Sequence, residues 1–311
     1  GREYKNGKIL EYLYAHINPA SFVTSPERLG FSELSNEIED FLCWIGVNKN
    51  LRYLTTDMSS YGNDFLEHVM FSLKYPAKFG EITVENISEL KRATKSFKNI
   101  TNIDDLEQII TTSDPHAILC WIAVNADIDL WRIEGDKNAN FEIWPPHKQY
   151  GRRLSNQPVL SYPLWLLKTM KWLPIEGGVK LSPNKCCLAR GAKDISPIIG
   201  FPAIDMGHSL IKELNLDLTA LRNALIRVGV VTDLDELPWD SFYEVLLEIP
   251  NLDPEGTKAR SIYRKLFGRS ESDVNPAGER YNEFITKGRM LGKKKGEVKY
   301  YPIKQLYYLE N

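Results

Sequence analysis

Apolar positions along this chain recur mostly at helical spacing. In residues 8–17, KILEYLYAHI, Ile9, Leu10, Leu13 and Ile17 share one face of a 3.6-residue period. The stretch SELSNEIEDFLCWIGV predicts a helix with Ser32 or Ser35 as N-cap and Gly46 as its stop. Its apolar stripe is Leu34, Ile38, Phe41, Leu42 and Ile45. Further helices are expected over 63–74, over the later part of 81–98 after a strand-like start, and over DDLEQIITT with Asp104 as cap. Asp114-Pro115 opens another through HAILCWIAV, because proline suits the first helical turn.

Residues 127–145 alternate on both sides of an EGDKNAN turn, which predicts a hairpin. Beyond it, YPLWLLKTMKWL has helical period and stops before Pro174, and GGVKL predicts a short strand after a Gly-Gly turn. SLIKELNLD and LTALRNALIRVGVV predict two helices, the second ending at Gly229. Residues 238–249, opened by Pro238 or Asp240, and 254–268 predict two more. The tail, GEVKYYPIKQLYYLEN, is strand-like and aromatic.

These elements make the chain α+β and mainly helical. The stretch WPPHKQYGRRLSNQP at 144–158 is rich in proline and polar residues and reads as the boundary between two halves. An N-terminal helical half with a hairpin then covers 1–145, and a C-terminal helical half with two hairpin-type segments covers 146–311.

Two internal echoes relate parts of the chain. LCWIGVN at 42–48 recurs as LCWIAVN at 119–125, and LIRVGVV at 225–231 is a looser third copy. Each closes a predicted helix, so Cys43 and Cys120 are expected to pack in a core as small hydrophobes. The second echo aligns GGVKLSPNKCCL at 177–188 with GEVKYYPIKQLY at 296–307. Gly, Val, Lys, Pro and Lys recur at the same offsets, whereas Cys186 and Cys187 face Gln305 and Leu306. The conserved shape is a strand, a proline turn and a short apolar segment. The cysteine pair has no CxxC and no nearby histidine, so it is expected to be structural rather than a metal or redox site.

Composition narrows the classes. The 311 residues carry a net charge of −2 with 43% hydrophobic and 26% charged residues, an ordinary globular balance. That charge argues against a chain built wholly around phosphate binding, yet permits a local basic patch. No run of about 18 apolar residues and no signal-peptide pattern is present, and four cysteines make no disulfide framework. A cytoplasmic setting without a membrane partner is expected. The first residue is Gly rather than Met, which reads as an excised fragment of a longer protein or as a chain trimmed of a tag.

Several motifs together point to a family. FLCWIGV, ILCWIAVNADIDLW, SYPLWLLKTMKWLP followed by SPNKCCL, NLDPEGTKARSIYRKLF and VKYYPIKQLYYLEN occur in this order. The series resembles the region downstream of the ATPase domain in large bacterial sacsin-like proteins, which carry an ATP-binding domain of the chaperone, gyrase and histidine-kinase type. The resemblance implies no catalytic residue here, because the Asn-bearing helix and Gly-rich loops of that nucleotide fold are missing. No cofactor is expected in this chain, and ATP would bind another domain of a parent protein. Some large bacterial proteins of this type look like parts of antiviral defence systems. The implied function is a non-catalytic interaction or scaffold module that contacts a protein partner or other domains of a larger chain.

Catalytic signatures do not appear. GxxxxGK[ST], GxSxG and HExxH are absent. The five histidines, His16, His68, His116, His147 and His208, show no ligand spacing and read as surface or helix-end residues, so no metal site is expected. A nuclease reading rests only on Glu297-Val298-Lys299 with Asp273 as an upstream carboxylate.

Two basic patches are the candidate binding residues. Lys287, Arg289, Lys293, Lys294, Lys295 and Lys299 straddle a Gly-rich hairpin tip that could reach the phosphates of a nucleic acid. The plainer reading is a solvated loop whose lysines block edge pairing. Trp144, His147, Lys148, Tyr150, Arg152 and Arg153 mix aromatic and cationic groups suited to bases or to a partner's surface.

Overall fold

A computed structural model describes residues 2–17, 30, 35–45, 47, 50–55, 61–72, 77–79, 82–84, 94–98, 101–127, 140–143, 152–153, 160–267 and 279–307. Helices dominate, and the paired strands are short and antiparallel, so the chain is α+β and mainly helical as its periodicity predicts. Contacts divide it into two compact units: residues 1–167 with 206–224, and residues 168–205 with 225–311. Each unit therefore draws on two separate stretches of sequence, unlike the contiguous halves expected.

In the first unit, helix α1 (Arg2–Leu13) buries Ile9, Leu10 and Leu13 beside helix α5 (Pro115–Val124). The α5 sequence is apolar all round, and Ala117 through Ile122 are all buried, as a fully enclosed helix requires. Asn6 and Asn125 exchange amide hydrogen bonds across this contact at 2.9 and 3.4 Å, so two buried polar side chains satisfy one another. A second cluster packs Tyr61, Phe65, Tyr162 and Trp165 with most of their rings edge-on or tilted to one another, and Tyr162 Oη donates to Glu107 at 2.7 Å. Short helix α7 (Ser209–Glu213) also belongs to this unit: Tyr12 Oη lies 3.2 Å from Ser209 Oγ, and Lys8 pairs with Glu213 at 3.3 Å.

Three expectations in this unit are corrected. Residues 94–98 are not helical; strand β4 (Thr94–Lys98) pairs with β6 (Asn140–Ile143), because a long-range partner overrides a weak local preference. β6 also pairs with β7 (Arg152–Arg153), while the first arm of the hairpin expected at 127–145 lies largely outside the described residues. Asp104 does not cap its helix. Its N–H is still engaged with Arg52 O at 2.9 Å beside the pairing of β1 (Tyr53–Thr55) with β5 (Thr101–Ile103), so helix α4 (Leu106–Thr112) starts later, after Asp105. Finally, Cys43 is exposed at the end of α2 (Asn36–Trp44), beside Phe41, Trp44 and Ile45, which are exposed too. Its counterpart Cys120 is buried as expected.

The second unit is built around a core that includes Cys187, Ile195, Phe242, Leu246, Ile249 and Tyr300. Helices α9 (Trp239–Leu252), α10 (Ala259–Phe267) and α11 (Glu279–Lys287) precede strands β10 (Arg289–Lys294) and β11 (Glu297–Pro302). Strands β8 (Leu173–Pro174) and β9 (Lys180–Leu181) form the smaller hairpin of this unit. The sequence echo is realised as shape: in each copy a strand leads into a 3₁₀ turn, Pro183–Lys185 in one and Ile303–Gln305 in the other. Cys186 and Cys187 then bridge Gly200 and Val231 through backbone and are fully buried. Burial, with the neighbouring thiol, pushes Cys186 up to about 12, so it stays protonated and acts as packing.

The β10–β11 hairpin closes through Lys295 and Gly296, with φ of 51° and 89°. Two consecutive left-handed residues make the mirror-type hairpin turn in which Asn-Gly is preferred. Lysine occupies that geometry at a cost of roughly 1 kcal/mol. Lys295→Asn is therefore expected to raise stability by up to that amount, read as a higher urea midpoint with an unchanged slope.

Candidate functional site

The hairpin holds its cations on a fixed base. Leu291 and Tyr300 face each other in register on the inner side, where Tyr300 is buried and Leu291 half-buried against the core of the second unit. Leu291 N–H donates to Tyr263 Oη at 3.3 Å, and its side chain lies over Gly256, where a Cβ would approach it to 2.5 Å. Arg289 donates to Tyr300 O at 2.9 Å, so this cation serves the hairpin itself. Lys287 and Lys299 are exposed but ion-paired, with Glu283 at 3.2 Å and Glu297 at 2.9 Å. Lys293, Lys294 and Lys295 are exposed and have no ion pair among the described residues.

Alternation places Lys293 on the Leu291 side and Lys294 with Lys299 on the other, while Lys295 sits in the turn. The cations thus surround the tip rather than lining one face.

Of the linker patch, Trp144, His147, Lys148 and Tyr150 lie outside the described residues. Arg152 and Arg153 form strand β7 on β6. Asp273 also lies outside them, and Glu297 is turned to Lys299 rather than to another carboxylate.

A further cluster, which sequence spacing did not reveal, stands at the start of α5. Asp114 caps this helix by accepting His116 N–H on Oδ1 at 2.7 Å. His116 Nδ1 lies 3.0 Å from the same oxygen. From 94 residues further on, His208 brings Nε2 to 2.9 Å from Asp114 Oδ2. The two imidazoles stack at 4.4 Å with an 11° interplanar angle. His208 also caps α7, its Nδ1 accepting Leu210 N–H at 3.3 Å. Tyr12 meets the His208 ring edge-on at 6.1 Å.

Hydrogen bonds from His116 hold the Asp114 carboxyl well below its usual range against the opposing effect of burial, and His208 adds to the same side. His116 Nε2 is buried without a hydrogen-bond partner among the described residues. The side chains of His116, His208 and Asp114 keep 15%, 17% and 36% exposure, so the cluster is sheltered yet reachable from water. One local cue was present in the sequence: aspartate, proline and histidine at a helix start put a carboxylate and an imidazole on one turn.

No family model matches this chain, and neither a curated protein nor a solved structure does. No helix among the described residues is long and apolar enough to cross a membrane.

Proposed function

We propose that this chain is a non-catalytic interaction module whose hairpin tip contacts the phosphate backbone of a nucleic acid. The supporting observation is the run Lys293, Lys294 and Lys295, exposed and without ion pairs among the described residues, at the end of a hairpin whose base is locked to the second unit's core. Ammonium groups around a tip are point charges with no fixed fork, so they suit phosphates rather than base edges. The expected binding is weak, independent of sequence and sensitive to salt. A sacsin-like parent protein, with its ATP-binding domain elsewhere, would give such a module a nucleotide-driven state to relay. Neither reading requires a catalytic residue in this chain.

Fluorescence anisotropy with a labelled DNA duplex tests the reading. Three lysines that each neutralise a phosphate give a slope of log K against log salt of about −2.7, and K293A/K294A/K295A should abolish most of that slope. The substitutions lie at an exposed tip, so stability should change little. Absence of binding by the unmodified chain at about 50 mM salt, or an unchanged slope in the triple variant, would sink the nucleic-acid reading. What would remain is a scaffold for a protein partner or for another domain of a larger chain.

A further inference from the structure

We propose that Asp114, His116 and His208 form a binding site for a zinc-class divalent cation in the first unit. This inference is independent of the basic hairpin, which belongs to the second. The three residues offer ligand atoms that all lie within 4.8 Å of one another, near enough for a small closing movement to bring them onto one ion with bonds near 2 Å. They come from two segments 94 residues apart, so the fold rather than local sequence assembles the set.

The donor set selects the ion. Two imidazoles and one carboxylate suit zinc, cobalt or nickel better than the all-oxygen shells of calcium or magnesium. No thiolate contributes: Cys120, one turn beyond His116 on α5, is pushed up to about 12 by burial and then by the Asp114 charge. Three protein ligands leave one tetrahedral position, and the 36% exposure of the Asp114 side chain lets water take it.

The protons can be followed. In the free site His116 donates Nδ1–H to the carboxylate, and His208, whose Nδ1 accepts Leu210 N–H, donates Nε2–H. A cation that takes these nitrogens displaces both protons to the opposite ring nitrogens, Nε2 of His116 and Nδ1 of His208, with no net release. His208 Nδ1 then can no longer accept Leu210 N–H, so loading the metal breaks the cap of α7. In the free site two stacked rings share one carboxylate, and His116 Nε2, buried without a partner among the described residues, stays unpartnered whether or not the ion is bound. The sequence reading expected no metal, because the ligands share no spacing motif.

The test uses the untagged chain, stripped with chelator, and Co²⁺ and Zn²⁺ as the probes. One equivalent of Co²⁺ should bind and develop the visible absorption of a tetrahedral nitrogen–oxygen site, and one equivalent of Zn²⁺ should displace it. Among the histidine ring signals, Co²⁺ should shift those of His116 and His208, together with the Leu210 amide. H116Q and H208Q should each weaken binding at least 10-fold, the scale seen for changes around a metal. Thermal melts without metal separate lost folding from lost ligation, and the wild-type titration stands whatever the variants do. Absence of stoichiometric binding by the wild-type chain at micromolar metal would overturn the proposal. So would one equivalent held as tightly by folded H116Q and H208Q.

Discussion

Asp253→Ala is expected to cost the second unit about 3 kcal/mol, among the largest effects of any single substitution in the chain. Asp253 is 5% exposed and stands between two helices. Its N–H closes α9 by donating to Ile249 O at 2.9 Å. Its carboxylate opens α10: Oδ1 accepts Thr257 N–H and Oγ1–H at 3.0 and 2.9 Å, and Oδ2 accepts Lys258 and Ala259 N–H at 2.7 and 2.9 Å. Alanine leaves these donors without their acceptor, and Ala259 is itself buried. Burial acts to raise the pKa of this carboxyl, but the N–H groups of Ala259 and Lys258 and the Thr257 donors outweigh it and leave it lowered. A lowered folded pKa means that the ionised form stabilises the fold above the unfolded value near 3.9, and that this share is lost as pH falls through the folded value. The gap between wild type and Asp253→Ala in urea unfolding should therefore be widest near neutral pH and narrow on acidification. Asp253→Asn keeps one oxygen acceptor and should recover part of the loss. A variant as stable as wild type at neutral pH would show that the capping network contributes nothing.

Helix ends governed by adjacent groups were legible in the sequence: Ser35 accepts Ile38 N–H, Asp114 accepts His116 N–H, and Pro238 begins α9. These signals act over two to three residues, within reach of a periodicity argument. The hairpin echo was also legible, because Gly, Val, Lys, Pro and Lys recur at equal offsets and each copy runs from a strand into a 3₁₀ turn. Wherever a distant segment decides, the sequence was silent or misleading. Thr94–Lys98 becomes a strand because Asn140–Ile143 pairs with it. Leu-Cys-Trp closes α2 and recurs inside α5 before its last residues, yet Cys43 is exposed and Cys120 is buried. Local sequence makes each of them helical, and the neighbours that arrive decide burial. The Asp114, His116 and His208 cluster belongs to this second kind, since nothing near residue 114 announces residue 208.

Gly288→Ala should cost about 2 kcal/mol and, unlike most core damage, should also displace the basic tip. Gly288 is the one residue between α11 and β10, and its N–H donates to Phe284 O at 2.7 Å. A Cβ built there would stand 2.2 Å from that same oxygen and 2.9 Å from Ile303 Cδ1. The oxygen is backbone in a helix whose Phe284 is buried, so it cannot yield as a flexible side-chain end would. Relief must come from moving β10 relative to α11, which loosens the Ile303 N–H bond to Gly288 O at 3.1 Å and the seating of Leu291 over Gly256. The expected result is a lower urea midpoint and faster exchange of the β10 and β11 amides. Binding to the DNA duplex should weaken although every lysine is retained, because the tip charges lose their fixed base. Lys293→Ala makes the contrasting control: it should weaken binding and leave both the midpoint and the exchange rates where they were. If Gly288→Ala left hairpin exchange unchanged, the junction would be shown to absorb a methyl group, and the rigid mounting assigned to the tip would fall with it.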